Sequence, residues 1–127
     1  MLNDAPLVTM VPATDLERAR RFYGETLGLT PVPSPDPTVA CFEAGNGAQI
    51  AAYQRGPTKA DHTVAQFLVK DLSATIDWLA SRGVVMEQYD FPGFKSDARG
   101  IVDMPGNIKS AWFKDSEGNI LGMDQWP

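Results

Sequence analysis

The sequence predicts an α+β fold in which two tandem βαβββ modules form a curved, half-open eight-stranded sheet with the helices outside. Two observations carry this prediction. A strand followed by an amphipathic helix occurs twice, and the second copy lies 56 residues after the first, as Leu16 and Leu72 show. A strand–turn–strand segment also occurs twice, 71 residues apart, as Phe42 and Phe113 show. Supersecondary units that recur in the same order indicate an internal duplication.

The first module begins with a predicted strand over 7–13, LVTMVPA, and continues into a helix. Thr14 and Glu17 have the spacing of a capping box, and Gly28 supplies a helix stop. The segment 31–38 is rich in proline, which cannot donate to a central ladder, so we expect a short edge strand followed by a loop. The apolar stripe of the helix consists of Leu16, Ala19, Phe22, Tyr23 and Leu27.

The second module repeats this order with a strand over 62–69 and a helix over 70–83. One face of this helix carries Leu72, Ile76 and Leu79. A hairpin over 111–126 closes the module, and its centre has turn chemistry. This module is about fifteen residues longer than the first, and the segment 87–107 holds the additional residues.

Composition and charge limit the class of protein. The 127 residues are predicted to form one domain, with module 1 over about 5–56 and module 2 over about 60–127. The net charge of -5 argues against a nucleic-acid surface, which needs a basic footprint. No apolar run reaches the length of a membrane span, and no secretory signal is visible. Since Cys41 is the only cysteine and is expected to be a buried, inert thiol, we expect a cytoplasmic protein.

These features resemble the glyoxalase/bleomycin-resistance/dioxygenase superfamily, also called vicinal oxygen chelate proteins. The resemblance spans essentially the whole chain and is carried by TDLERARRFYGETLGL (14–29), VKDLSATIDWLASRG (69–83) and AWFKDSEGNILGM (111–123). It implies two βαβββ modules, a ligand cavity inside the curved sheet and, commonly, a homodimer. We expect a homodimer here, because self-association is a common way to cover exposed edge strands.

The resemblance also implies where a metal ion would bind. Metal-binding members use four side chains, mostly His and Glu, from the first and last strands of each module. Those places correspond to Val8, Ala51, Val64 and Gly122 in this chain. None of these residues has a side-chain atom that donates an electron pair to a cation. We therefore expect no metal and no other cofactor.

A shift of one residue along each strand does not restore a ligand set. It would supply the hydroxyls of Thr9 and Thr63, but no carboxylate or imidazole. His62 is the only histidine, and it could ligate a metal only with a partner such as Asp124. Zinc and iron sites have more protein ligands than that, so we expect His62 to be a solvated residue at a strand end.

Strand alternation places four candidate ligand-binding residues on the same face as the implied metal positions. They are Met10, Tyr53, Gln66 and Asp124. An aromatic ring, a thioether, an amide and a carboxylate suit a mostly apolar organic ligand that is oriented by a few polar groups. Met10 and Tyr53 are also compatible with a plain core, but a sealed core would have to satisfy Gln66 and Asp124 internally.

The segment 90–106 of the second module combines aromatic side chains with glycine and proline. Its aromatic residues could form a lid over the cavity, or they could pack on the sheet as part of a surface connection, and the sequence leaves both open. We include Phe94 among the candidate ligand-binding residues.

The expected function is a metal-independent, drug-sequestering protein that binds a small organic molecule. The chain resembles bleomycin-resistance proteins in size, acidity and missing ligands. The alternative is a lyase, isomerase or dioxygenase-type enzyme of the same superfamily, either metal-free with Asp124 or Tyr53 as the acid–base group, or with a divalent metal at a site mapped incorrectly. A regulatory or structural module with a vestigial cleft is a third possibility.

Overall fold

Ten strands and two α-helices make up the computed structural model, which describes residues 1–127. A π-helical turn, Phe22–Thr26, continues the first helix. Neither α-helix is long and apolar enough to cross a membrane. In chain order the elements are β1 Val8–Ala13, α1 Leu16–Arg21, β2 Thr30–Val32, β3 Val39–Glu43, β4 Gln49–Gln54, β5 Thr63–Leu68, α2 Leu72–Ser81, β6 Asp90–Phe91, β7 Phe94–Lys95, β8 Val102–Met104, β9 Ile108–Lys114 and β10 Ile120–Gln125.

Eight of the strands form two four-stranded sheets of the same topology. Sheet 1 has the order β1-β4-β3-β2 and sheet 2 has the order β5-β10-β9-β8. The pairs β1–β4 in sheet 1 and β5–β10 in sheet 2 are parallel, and the remaining neighbouring strands are antiparallel. The pair Phe42–Ile50 in sheet 1 recurs as Phe113–Leu121 in sheet 2. The predicted α+β fold of two βαβββ modules is therefore confirmed, and both sheets are open. The short β2 is an edge strand, as predicted.

The chain divides into two units. Unit 1 comprises Met1–Lys59 and Ser116–Asn119, and unit 2 comprises Ala60–Asp115 and Ile120–Pro127. Sheet 1 and α1 belong to unit 1, whereas sheet 2 and α2 belong to unit 2. The turn Ser116–Asn119 joins β9 to β10 along the chain, but its contacts place it in unit 1.

In unit 1, one face of sheet 1 is buried against α1 and the π-helical turn. Tyr23 is fully buried, and its ring centroid lies 5.9 Å from that of Phe42. On the opposite face, Val8 and Met10 are 40% and 50% exposed. Alternation along the strands thus separates a helix-facing core from an open face. The buried strand residues on the helix-facing side are Val11, Ala13, Ala40, Phe42, Ile50 and Ala52, and Ala51 on the opposite face is buried as well.

In unit 2, α2 covers one face of sheet 2. Its predicted apolar stripe is buried, and Asp71 caps its first turn by accepting a hydrogen bond from the backbone N–H of Ala74 at 2.9 Å. The backbone N–H of Leu72 donates to Oε1 of Gln125 at 2.8 Å, which ties the helix to β10. The buried strand residues on the side of α2 are Ala111, Phe113, Leu121 and Met123; Ser110 and Gly122 on the opposite face and Val102 of β8 are buried as well.

Asp15, rather than Thr14, is the N-cap of α1. Its carboxylate accepts a hydrogen bond from the backbone N–H of Arg18 at 3.0 Å. The predicted capping box of Thr14 and Glu17 is therefore wrong. The physical reason is that Thr14 is engaged elsewhere, since its backbone N–H and its hydroxyl donate to Glu117 at 3.1 and 3.2 Å.

Glu117 is the centre of the network that fixes the turn Ser116–Asn119 in unit 1. Its side chain is only 2% exposed. It accepts hydrogen bonds from the backbone N–H groups of Thr14 and Asp15, and from Nε and Nη2 of Arg18 at 2.8 and 3.0 Å. The guanidinium of Arg18 is the largest cause of a lowered pKa of Glu117, which falls from its ordinary 4.5 to about 2.

We expect Glu117→Gln to lower the free energy of unfolding by about 2–3 kcal/mol at neutral pH, because the substitution removes a buried charge that these donors stabilise. The pKa of Glu117 is lower in the folded state than in the unfolded chain. The stabilisation is therefore complete above about pH 4.5 and is lost as the pH falls toward about 2. Urea unfolding of both proteins at several pH values should show the difference shrinking over this range.

Glu17→Gln is the matched control for this substitution. The carboxylate of Glu17 is 73% exposed and lies 3.2 Å from Nε of Arg20. Exposed pairs contribute little to stability, so this variant should unfold like the parent protein at every pH. If Glu117→Gln and Glu17→Gln had the same free energy of unfolding at every pH, Glu117 would not be the stabilising buried carboxylate described here.

Candidate ligand-binding site

The open face of sheet 2 gathers polar residues around Gly122. On β10, Gly122 pairs with Gln66 of β5 and with Trp112 of β9, and Asp124 pairs with Ser110 of β9. Their neighbours in the strands face α2, so these side chains lie on the opposite side of the sheet. The structure therefore brings the candidate residues Gln66 and Asp124 onto one surface.

A recess of about 350 Å³ lies on this surface, and we call it the polar recess. The hydroxyl of Ser110 donates to Oδ1 of Asp124 at 2.5 Å. The second carboxylate oxygen of Asp124 and the amide of Gln66 have no hydrogen-bond partner within the chain, so both are available to a ligand. The recess is lined by Thr63, Gln66, Met104, Pro105, Ile108, Ser110, Trp112 and Asp124.

A second recess of about 210 Å³, the aromatic recess, lies in the same unit. The ring centroid of Trp112 lies 5.5 Å from that of Tyr89 and 5.4 Å from that of Phe94. Nε1 of Trp112 donates to the hydroxyl of Thr63 at 3.0 Å, which fixes the indole. The candidate residue Phe94 therefore packs on β9, and of the two possibilities for this segment the structure shows packing on the sheet. The recess is lined by Asp61, His62, Thr63, Tyr89, Phe91, Phe94, Trp112 and Ile120.

The other two candidate residues, Met10 and Tyr53, belong to unit 1. Met10 pairs with Ala51 on the open face of sheet 1. The hydroxyl of Tyr53 accepts a hydrogen bond from Nη1 of Arg55 at 3.2 Å, and the guanidinium carbon lies 5.7 Å from the ring centroid. The five candidate residues thus fall into two groups, with Gln66, Phe94 and Asp124 in unit 2.

A β-bulge alters the register of β5 at Val64. Ile120 pairs with Thr63, whereas Leu121 pairs with Ala65, so Val64 is left without a partner on β10. Thr63 instead directs its hydroxyl toward Trp112. Thr63 therefore occupies the implied metal position that the resemblance assigned to Val64, one residue later in the sequence.

The residues at the implied metal positions do not fit a metal ion. Val8, Ala51 and Gly122 provide no donor atom, and Thr63 provides a single hydroxyl. The side chain of His62 is 72% exposed, and its Nδ1 lies 3.7 Å from a carboxylate oxygen of Asp61. No group of three or more His, Cys, Asp or Glu side chains is placed to hold a metal ion.

The space beside Gly122 is filled by its neighbours. A Cβ atom at this position would overlap Oε1 of Gln66 and would lie 3.0 Å from its Cδ and 3.1 Å from Nε1 of Trp112. These separations are shorter than ordinary van der Waals contact. Glycine at 122 therefore allows the Gln66 amide and the Trp112 indole to approach each other above β10.

The structure adds Thr63, Tyr89, Ser110 and Trp112 to the predicted residues. A signal for Trp112 was available, because Phe113 matches the core residue Phe42 and alternation then puts Trp112 on the open face. The same alternation applies to Ser110. The position of Thr63 on the open face depends on the bulge, and the position of Tyr89 depends on the path of the inserted segment. No local pattern in the sequence indicates either position.

The family model of the Glyoxalase/Bleomycin resistance protein/Dioxygenase superfamily matches residues 6–122, and the chain belongs to this superfamily. No curated protein matches the chain.

Several solved structures have a similar fold. A glyoxalase/bleomycin resistance protein from Catenulispora acidiphila is 22% identical, with a TM-score of 0.68 and coverage of 96% of this chain and 98% of that chain. A putative glyoxalase family protein from Bacillus anthracis is 21% identical, with a TM-score of 0.72 and coverage of 97% and 95%. The lactoylglutathione lyase of Agrobacterium tumefaciens is 20% identical, with a TM-score of 0.65 and coverage of 95% and 92%. At these identities the similarity shows the fold alone.

We expect Gly122→Ala to destabilise the protein by less than about 1 kcal/mol, because the overlapping atoms of Gln66 are the far end of an exposed, flexible side chain that can move aside, and the Trp112 indole has to shift only slightly. Gln66→Ala removes the closest neighbour, so Gly122→Ala should cost about half as much in that background. Equilibrium urea unfolding of the parent, both single variants and the double variant gives the coupling free energy.

Gly45→Ala controls for the loss of a glycine, since a Cβ atom at position 45 would have no neighbour within 4 Å. If Gly122→Ala lowered the free energy of unfolding equally in the parent protein and in the Gln66→Ala background, overlap with Gln66 would not be what disfavours a side chain at position 122.

Proposed function

We propose that this chain is a drug-sequestering type of binding protein that holds a small organic molecule in the polar recess of unit 2. One observation carries the proposal. The recess presents the unpartnered amide of Gln66 and one unpartnered oxygen of Asp124 beside the apolar surface of Met104, Ile108 and Trp112. An apolar wall with a few placed polar groups is the usual composition of a small-molecule site.

The charge of the recess favours a cationic or hydrogen-bond-donating ligand. Asp124 is the only lining residue with a full charge, and no Lys or Arg contributes to the lining. The hydrogen bond from Ser110 fixes the orientation of the carboxylate before a ligand arrives. A preformed acceptor of this kind reduces the entropy that binding costs.

The proposal requires no metal and no cofactor. This is supported by the chemistry of the side chains at the implied metal positions, which supply one hydroxyl and no carboxylate or imidazole. A cytoplasmic location is part of the same proposal, because Cys41 is the only cysteine and a reducing compartment suits a chain without disulfides.

The alternative function is a metal-free enzyme of the same superfamily. The observation that favours it is the short hydrogen bond from Ser110 to Asp124, which leaves the other carboxylate oxygen free to accept a proton from a bound molecule. The phenol of Tyr53 is the second acid–base candidate. A binder that is recovered chemically unchanged after prolonged incubation with the protein would argue against this alternative.

We expect Asp124→Asn to weaken the binding of organic cations about tenfold, since it preserves the shape of the side chain and removes the charge. The loss should diminish at high ionic strength, and the affinity of neutral ligands should be nearly unchanged. Isothermal titration calorimetry with matched pairs of alkylammonium ions and alcohols measures both effects.

Asp4→Asn is the control for this substitution, because it makes the same change in net charge at an exposed residue of the N-terminal turn. Asp124 would lose its assigned role if a cation bound equally well to Asp124→Asn, Asp4→Asn and the parent protein.

We also propose that the protein is a homodimer. Each open sheet leaves two edge strands, β1 and β2 in sheet 1 and β5 and β8 in sheet 2. Val8 and Met10 add exposed apolar surface on β1. Edge strands with apolar side chains associate readily unless they are covered. Light scattering across a dilution series should give the mass of two chains, and a single-chain mass at every concentration would refute this proposal.

A further inference from the structure

The polar recess and the aromatic recess meet at two shared residues. Thr63 and Trp112 line both, and the hydrogen bond between them forms part of the common wall. The two recesses are therefore neighbours, and a molecule that occupies both would pass over the Thr63–Trp112 pair.

The aromatic recess is built by a segment that only unit 2 possesses. Phe91 and Phe94 face each other across the two-stranded hairpin of β6 and β7, and Tyr89 immediately precedes it. The ring of Tyr89 stacks on Phe91 with centroids 6.2 Å apart and meets Phe94 edge-on at 5.9 Å. Sheet 1 has no counterpart to this hairpin, so the aromatic wall is an addition to the repeated architecture.

The dimensions and exposure of the aromatic recess suit a planar ring. Its volume of about 210 Å³ exceeds the roughly 150 Å³ of an apolar cavity that accommodates benzene. Phe91 is 59% exposed, so a guest ring would remove aromatic surface from water. Aromatic rings prefer offset-stacked or edge-to-face neighbours, and the walls of the recess offer both ring faces and ring edges.

The charges of both recesses point to a cation. Among all the lining residues, the carboxylates of Asp61 and Asp124 are the only aspartates or glutamates, and no Lys or Arg is present. Aromatic faces also attract cations through the ring quadrupole. A carboxylate-bearing or phosphate-bearing molecule would find no Lys or Arg in either recess, and His62 of the aromatic recess is the one lining residue that protonation can make cationic.

We propose that the two recesses form one bipartite site for an aryl-bearing organic cation. The aromatic ring of the ligand occupies the aromatic recess against Phe91 and Phe94, and its ammonium group lies beside Asp124 in the polar recess. This inference rests on the proposed function, because it names the class of molecule that the polar recess binds.

The test uses three probe series of equal chain length: phenylalkylammonium ions, phenylalkanols and ringless alkylammonium ions. Titration calorimetry with the full chain should find a phenylalkylammonium ion that binds at least about tenfold more tightly than both the alcohol and the ringless ion of the same length. Phe94→Leu should abolish the advantage of the ring, measured within that variant as the ratio of the affinities of the phenylalkylammonium ion and the ringless ion of the same length. Phe91→Leu, at a more exposed position, should reduce the same advantage.

Trp78→Leu is the control for the loss of a ring, since Trp78 lies on α2, outside both recesses, and is 41% exposed. Ammonium binding that depends on Asp124 but gains nothing from a ring would overturn this inference and leave the proposed function intact. An unchanged ring advantage in both Phe94→Leu and Phe91→Leu would also overturn it. Failure of every probe to bind the parent protein would contradict the inference and the proposed function together.

Discussion

The packing of a helix against only one face of each sheet is the constraint on which the arrangement of the whole chain depends. Sheet 1 packs against α1 and sheet 2 packs against α2, so successive strand residues divide between a core and an open face. On β9, Phe113 fills the core while its neighbour Trp112 faces outward. The side chains that face the helix are committed to packing, and the open face is consequently where the chain can place groups for a ligand.

This constraint explains why much of the fold could be predicted from the sequence. The apolar stripe Leu72, Ile76 and Leu79 is local information, and all three residues are buried in α2 as expected. The duplication could be recognised because the pair Phe42–Ile50 has its counterpart in Phe113–Leu121. Period-two alternation then puts Gln66 and Asp124 on one surface, which is where the structure has them.

The remaining features depend on interactions between residues that are distant in the sequence. The bulge at Val64 arises from the hydrogen-bond register between β5 and β10, which the pattern of β5 alone does not specify. Thr14 has the right chemistry for a helix cap, but Glu117, more than a hundred residues away, takes its hydrogen bonds. The aromatic recess depends on the path of the inserted hairpin, and its ring contacts follow from that path rather than from any local periodicity.

Because of the turn Ser116–Asn119, the synthesis of unit 2 begins before that of unit 1 is complete. This turn is translated after residues 60–115 of unit 2, yet it completes unit 1: Glu117 binds the start of α1, and Nδ2 of Asn119 donates to the backbone carbonyl of Pro12 at 3.0 Å. Unit 1 therefore cannot make its full set of contacts until this turn has been synthesised. A nonsense codon after Asp115 would remove β10, and it would also remove these two anchors from residues 12–18 of unit 1.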